Sequence, residues 1–83
     1  MDTIKVKTSK RNIQITKDVI NGQMLKDAGE VHGVHATRIR KIFLRVIQIC
    51  DKEVHGLEYD RTVTEVRNDK GTWLDILNRL EGV

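Results

Sequence analysis

Residues 25–42 read Leu25-Lys26-Asp27-Ala28-Gly29-Glu30-Val31-His32-Gly33-Val34-His35-Ala36-Thr37-Arg38-Ile39-Arg40-Lys41-Ile42. The run reads as two helices joined by a tight turn. Ala28 and Gly29 are small, as a second helix passing close over the first requires. Gly33 lies where the chain must turn sharply, a place that favours positive φ. Val34 plugs the junction, and Ile39 and Ile42 bury the second helix against the first. Small residue, turn glycine and apolar plug fall in the order of a helix-turn-helix.

Downstream, the second helix is expected from about Ala36 to Lys52. Its apolar face is Ile39, Ile42, Phe43, Val46, Ile49 and Cys50, at steps of three and four. Thr37, Arg40, Lys41, Leu44 and Gln48 fall on the opposite face. Gly56 is a candidate stop. Residues 57–68 are ambiguous: Val63 and Val66 suit a helix, Thr62-Val63-Thr64 a strand. Asn68-Asp69-Lys70-Gly71 reads as a turn. Thr72 and Asp75 resemble a capping box opening a last helix with Trp73, Leu77 and Leu80. Upstream, Ile4 and Val6 alternate with lysines, and Ile13 and Ile15 alternate with Asn12, Gln14 and Thr16. With the polar break at Thr8-Ser9-Lys10-Arg11, that predicts two short strands in a β-hairpin. Thr16 or Asp18 then caps a short helix that stops near Asn21-Gly22. The expected fold is mainly α: a helix-turn-helix core, an N-terminal β-hairpin and a C-terminal helix, one domain over residues 1–83.

The chain has 83 residues, 39% hydrophobic and 33% charged, with one cysteine and no proline. No apolar run approaches the ~18 residues of a membrane span, so no membrane is expected. The first residues lack the apolar stretch of a signal peptide. Cys50 alone makes no internal disulfide, which suits a reducing compartment, and a cytoplasmic location is expected. The net charge of +3 hides an asymmetry. Residues 1–50 carry ten bases against four acids, and residues 51–83 carry five against eight. A basic body suits a polyanion, while the acidic part is repelled by one.

The run at 25–42 resembles the C-terminal, −35-reading region (region 4) of bacterial primary sigma factors. That family typically reads Thr-Leu-Glu-Glu-Val-Gly, a turn, and Val-Thr-Arg-Glu-Arg-Ile-Arg-Gln-Ile. This chain matches at Leu25, Gly29, Val34, Arg38, Ile39, Arg40 and Ile42. The similarity covers about residues 17–50. Ala36 and Thr37 stand in place of the family's Arg-Glu pair, and Lys41 in place of its Gln, so the −35 preference is not implied. The docking mode is implied: the second helix in the major groove of double-stranded DNA. Promoter melting needs aromatic platforms for unstacked bases. Of the three aromatics, Phe43 and Trp73 sit in apolar patterns. The expectation is a small, free-standing transcription regulator that reads duplex DNA without opening it, of a size suited to a phage or mobile element.

The expected DNA-binding residues are His35, Ala36, Thr37, Arg38, Arg40, Lys41, Leu44 and Arg45. Arg40 suits a guanine edge and Lys41 a phosphate. Arg38 suits a phosphate or a structural ion pair, and His35 a helix cap or a phosphate. Leu44 is open to a thymine methyl, a partner protein or the C-terminal helix. His32, His35, Cys50 and His55 have tolerable spacing for zinc, but the register turns His32 inward and places Cys50 in the core, so no metal is expected. No catalytic set is discernible, so neither an enzyme nor a cofactor is expected. The alternative is a protein-interaction module of the same shape, binding RNA polymerase or a sigma factor, to which Asp51, Glu53, Glu58, Asp60 and Glu65 lend support. A homodimer is compatible with either.

Overall fold

A computed structural model describes residues 3–82; Met1, Asp2 and Val83, the ends of the expected domain, lie outside the described residues. In chain order the elements are β1 (Ile4–Val6), α1 (Lys10–Ile20), α2 (Leu25–His32), α3 (Ala36–Cys50), a π-helical turn (Asp51–His55), α4 (Val63–Asn68), α5 (Lys70–Arg79) and β2 (Leu80–Gly82). The fold is mainly α, with a helix-turn-helix at its centre and a helix near its C-terminal end. Among the described residues no helix is long and apolar enough to cross a membrane.

The N-terminal strand exists, but its expected partner does not. Ile13 and Ile15 lie in α1, and β1 pairs in parallel with β2, Ile4 opposite Leu80 and Val6 opposite Gly82. The helix is set by its start. Ser9 Oγ accepts the Asn12 backbone N–H at 3.1 Å, and the Ile13 N–H reaches the Ser9 carbonyl at 3.1 Å. Ser9 therefore caps α1, not Thr16 or Asp18. The Thr16 hydroxyl instead donates to the Asn12 carbonyl at 2.8 Å. Ile13, Thr16 and Ile20 form one buried line and Ile15 and Val19 a second. The apparent alternation was a short sample of this wide apolar face, and burial overrides the strand preference of β-branched residues.

One hydrophobic cluster joins all five helices, with Phe43, Ile39, Ile47 and Leu77 fully buried at its centre. Ile47 belongs to it, whereas Ile49, expected in the core, is only half-buried. The buried face of α3 is broader than one stripe of threes and fours. Trp73, Ile76 and Leu77 bring α5 into the same cluster. The capping box lies one helix earlier than expected, since Thr62 Oγ1 accepts the Glu65 N–H at 3.1 Å to open α4. Helix α5 begins at Lys70, so Thr72 sits inside its first turn. Arg67 fastens α4 to the end of α1. Its Nε donates to the Val19 carbonyl at 2.9 Å and its Nη2 to that of Gln23 at 2.8 Å. These carbonyls lie at and just beyond the C-terminal end of α1, where a cation is favoured.

Candidate nucleic-acid interface

The turn between α2 and α3 meets the expected steric requirements. Gly33 has φ 70° and ψ 30°, the left-handed region. Its own N–H and that of Val34 both reach the Gly29 carbonyl, the Val34 bond at 2.9 Å. The Val34 bond is the 6→1 bond of a Schellman motif, which closes a helix end around a left-handed residue. A Cβ on Gly29 would collide with the Val34 carbonyl oxygen. Ala28 is fully buried beside it. The backbone of the turn thus lies directly on α2, and α3 leaves in a fixed direction.

His35 is the N-cap of α3, its Nδ1 accepting the Thr37 N–H at 3.3 Å. That contact requires the imidazole to be neutral, with its proton on Nε2. Beyond it Thr37, Arg38, Arg40, Lys41 and Arg45 are exposed and Ala36 is half-buried. At 100° per residue, Thr37 and Lys41 point directly away from the Ile39–Phe43–Val46 core. Arg40 falls to one side, and Arg38 and Arg45 to the other. None of the four bases is in an ion pair among the described residues, where the ion pairs are made by His32, His55 and Arg61. Leu44 is half-buried and packs against the core cluster. The surface therefore offers bases and a hydroxyl on a rigid helix, not an apolar knob.

One neighbour was not anticipated. Arg40 lines a shallow depression with Met24, Leu25 and Lys26 from the start of α2 and with Thr62 and Thr64 from the start of α4. Lys26 thus joins the basic side of the helix pair. No local signal marks it, since its position depends on how α2 lies across α3.

The other singled-out groups go elsewhere. His32 Nε2 lies 3.2 Å from Asp18 Oδ2, linking α2 to α1. His55 Nδ1 lies 3.1 Å from Asp51 Oδ1. No group of three potential metal ligands gathers among the described residues, the three histidines and Cys50 included. Burial pushes the Cys50 thiol up to about 12, helped by the negative charge of Asp51, so it is a protonated core residue at neutral pH. Asp51, expected on an acidic interaction surface, is fully buried. It accepts Arg61 Nε at 2.7 Å as well as facing His55. The hydrogen bond that Arg61 donates to Asp51, with the negative charge of that carboxylate, holds the Arg61 guanidinium further above its ordinary range. Arg61 also lies over the Tyr59 and Trp73 rings, 4.9 and 5.0 Å from their centroids.

Comparison with known proteins finds no matching family model, no matching curated protein and no matching solved structure. The likeness to the promoter-reading module rests on the residues at 25–42 alone.

Proposed function

We propose that this protein is a sequence-specific, double-stranded-DNA-binding regulator of transcription that acts in the cytoplasm and lays α3 in the major groove. The observation that carries this reading is the turn. The left-handed Gly33 and the backbone packed on Gly29 fix α3 so that Ile39 and Ile42 enter the core while the opposite face of its first turns stays exposed. Those turns carry Thr37, Arg38, Arg40 and Lys41, exposed and free of ion pairs among the described residues. Charged groups left unpaired on a rigid face keep their donors for phosphate and base edges. The resemblance to the sigma-factor module supports the same docking mode. The alternative, a module docking on RNA polymerase or a sigma factor, draws on fewer acids than the sequence suggested. Asp51 is buried and Glu65 belongs to the α4 cap.

The test is a selection from a random duplex pool, followed by anisotropy titration on the selected and scrambled duplexes at several salt concentrations. Arg40→Ala is expected to relax preference at one base pair, by ~1–3 kcal/mol of discrimination. Lys41→Ala is expected to weaken binding to both duplexes alike and to lower the salt slope by about one unit. If both variants stay folded and bind both duplexes like the parent, α3 is not the reading element.

A further inference from the structure

The C-terminal half of α3 borders a second surface with no role in the reading above. A shallow groove runs between β1 and the segment 57–60, floored by Gln48 and Ile49. Lys5 and Val6 of β1 and Lys7 just beyond it line the groove and no β2 residue does, so it lies beside β1 and not beside β2. Its charges segregate by element. The bases Lys5 and Lys7 come from β1 and the residue after it and Arg45 from α3, and the acids Glu58 and Asp60 from segment 57–60. The π-turn contributes one of each, Lys52 and Glu53. None of these bases and acids is within ion-pair distance of another among the described residues. Leu57 and Tyr59, two of the four exposed large apolar side chains among the described residues, lie on the same segment.

We infer that this groove is a self-association surface whose occupant is a second copy of the same chain. The argument is charge complementarity under two-fold symmetry. An isologous contact brings each patch against its own image, so it needs a surface that is its own complement. A basic wall facing an acidic wall meets that need. Rotation by 180° sets Lys5 and Lys7 of one copy against Glu58 and Asp60 of the other, and the reverse. The spacing agrees, because Lys5-Val6-Lys7 and Glu58-Tyr59-Asp60 both alternate charge, apolar, charge. Residues 58–60, between the anchored Leu57 and Arg61, carry no regular secondary structure, so they are the part available to lie along the unpaired edge of β1. Duplex DNA fits this groove poorly, since its acidic wall repels phosphate. Direct pairing of two β1 edges sets lysine against lysine, which is unfavourable. Arg40 and Lys41 do not line the groove, so the contact leaves the reading face of α3 open in both copies. The inference stands without the DNA reading, and its test contains no DNA.

The full chain is examined by sedimentation equilibrium at low and high salt. The parent is expected to dimerise at sub-millimolar concentration and to dissociate as salt rises. Lys5→Glu with Lys7→Glu makes both walls acidic, and Glu58→Lys with Asp60→Lys makes both basic. Each double variant alone should weaken dimerisation at least about tenfold through like-charge contact. An equimolar mixture should recover it, because each wall again meets its opposite. A parent that stays monomeric, a variant that dimerises like the parent, or a mixture that stays monomeric overturns the inference. Circular dichroism checks folding. Where a charge-reversed chain unfolds, Lys5→Gln with Lys7→Gln and Glu58→Gln with Asp60→Gln take its place. Each should weaken the parent dimer, and unchanged dimerisation overturns the inference as well.

Discussion

Helix α3 is entered through a backbone turn and left through a cluster of side chains. At its start, Gly33 supplies a left-handed φ and Gly29 supplies room for the Val34 carbonyl. No charged group is buried there. At its end, the chain widens into the π-helical turn Asp51–His55, closed by the left-handed Gly56. There a fully buried carboxylate is held by Arg61 and His55, which both lie against the Trp73 ring. One end is fixed by what is absent from two residues, the other by side chains brought to Asp51 from ten and four residues away. A steric constraint is cheap to satisfy and leaves the surface free for other work. A buried charge ties up every group around it, since each must remain to keep the carboxylate satisfied.

That contrast can be broken most severely at the charged end. Arg61→Ala leaves Asp51 buried with only His55 beside it. Removing one partner of a buried pair costs about 3–5 kcal/mol, and the lower part of that range applies because Arg61 reaches solvent. Urea denaturation should show the loss, and a midpoint within error of the parent's would mean that Asp51 is satisfied without Arg61. At the steric end, Gly29→Ala forces a methyl into the turn carbonyl, an overpacking expected to cost about 1–3 kcal/mol. Thermal melts of Gly29→Ala and of the solvent-facing control Gly71→Ala, whose Cβ would meet nothing, separate the clash from the general effect of the substitution.

Cys50 gives the charged end a pH signature. Its folded value of about 12 lies above its ordinary 9.0, with burial the main cause and Asp51 the second. Between those values the unfolded chain has lost the thiol proton while the folded chain retains it. The stabilisation is complete below pH 9 and fades towards pH 12, by about 1.4 kcal/mol per pH unit. Denaturation at pH 8 and pH 10 should show Cys50→Ala losing less stability than the parent across that step. Equal losses would mean that the thiol does not stay protonated in the fold. The smallest effect is expected at the entry of α3. Substituting a cap costs about 0.5–2 kcal/mol, and the 3.3 Å contact of His35 places His35→Ala at the bottom of that range. A loss well above it in thermal melts would give that end a side-chain requirement as well.

The same contrast explains what could be read from the sequence. Gly29, Gly33 and Val34 act on neighbours within about a turn of helix, so their spacing carries the message. The outward placement of Arg40 and Lys41 follows from helix period alone. Asp51 looked like one acid among the eight of the tail, because its partner Arg61 is brought to it by a loop with no periodic pattern. The β1 strand was legible from Ile4 and Val6, but its partner is Leu80–Gly82, at the other end of the chain. Nearby Ile13 and Ile15 offered an alternation that α1 absorbs. Gly82 shows why the true partner fits: a Cβ there would meet the Thr8 carbonyl at 2.7 Å and the Lys10 nitrogen at 2.9 Å. No rule of local spacing connects residue 82 with residue 8.

The parallel pairing of β1 with β2 has a mechanical consequence. The two strands point the same way, and one leads into the fold while the other leads out. Tension applied at Ile4 and at Gly82 therefore pulls them in opposite directions along their common axis. The ladder is loaded in shear, so its hydrogen bonds share the force instead of opening one after another from an end. In single-molecule stretching from these two points, the clasp resists first, and the helices behind it stay shielded until it slides apart.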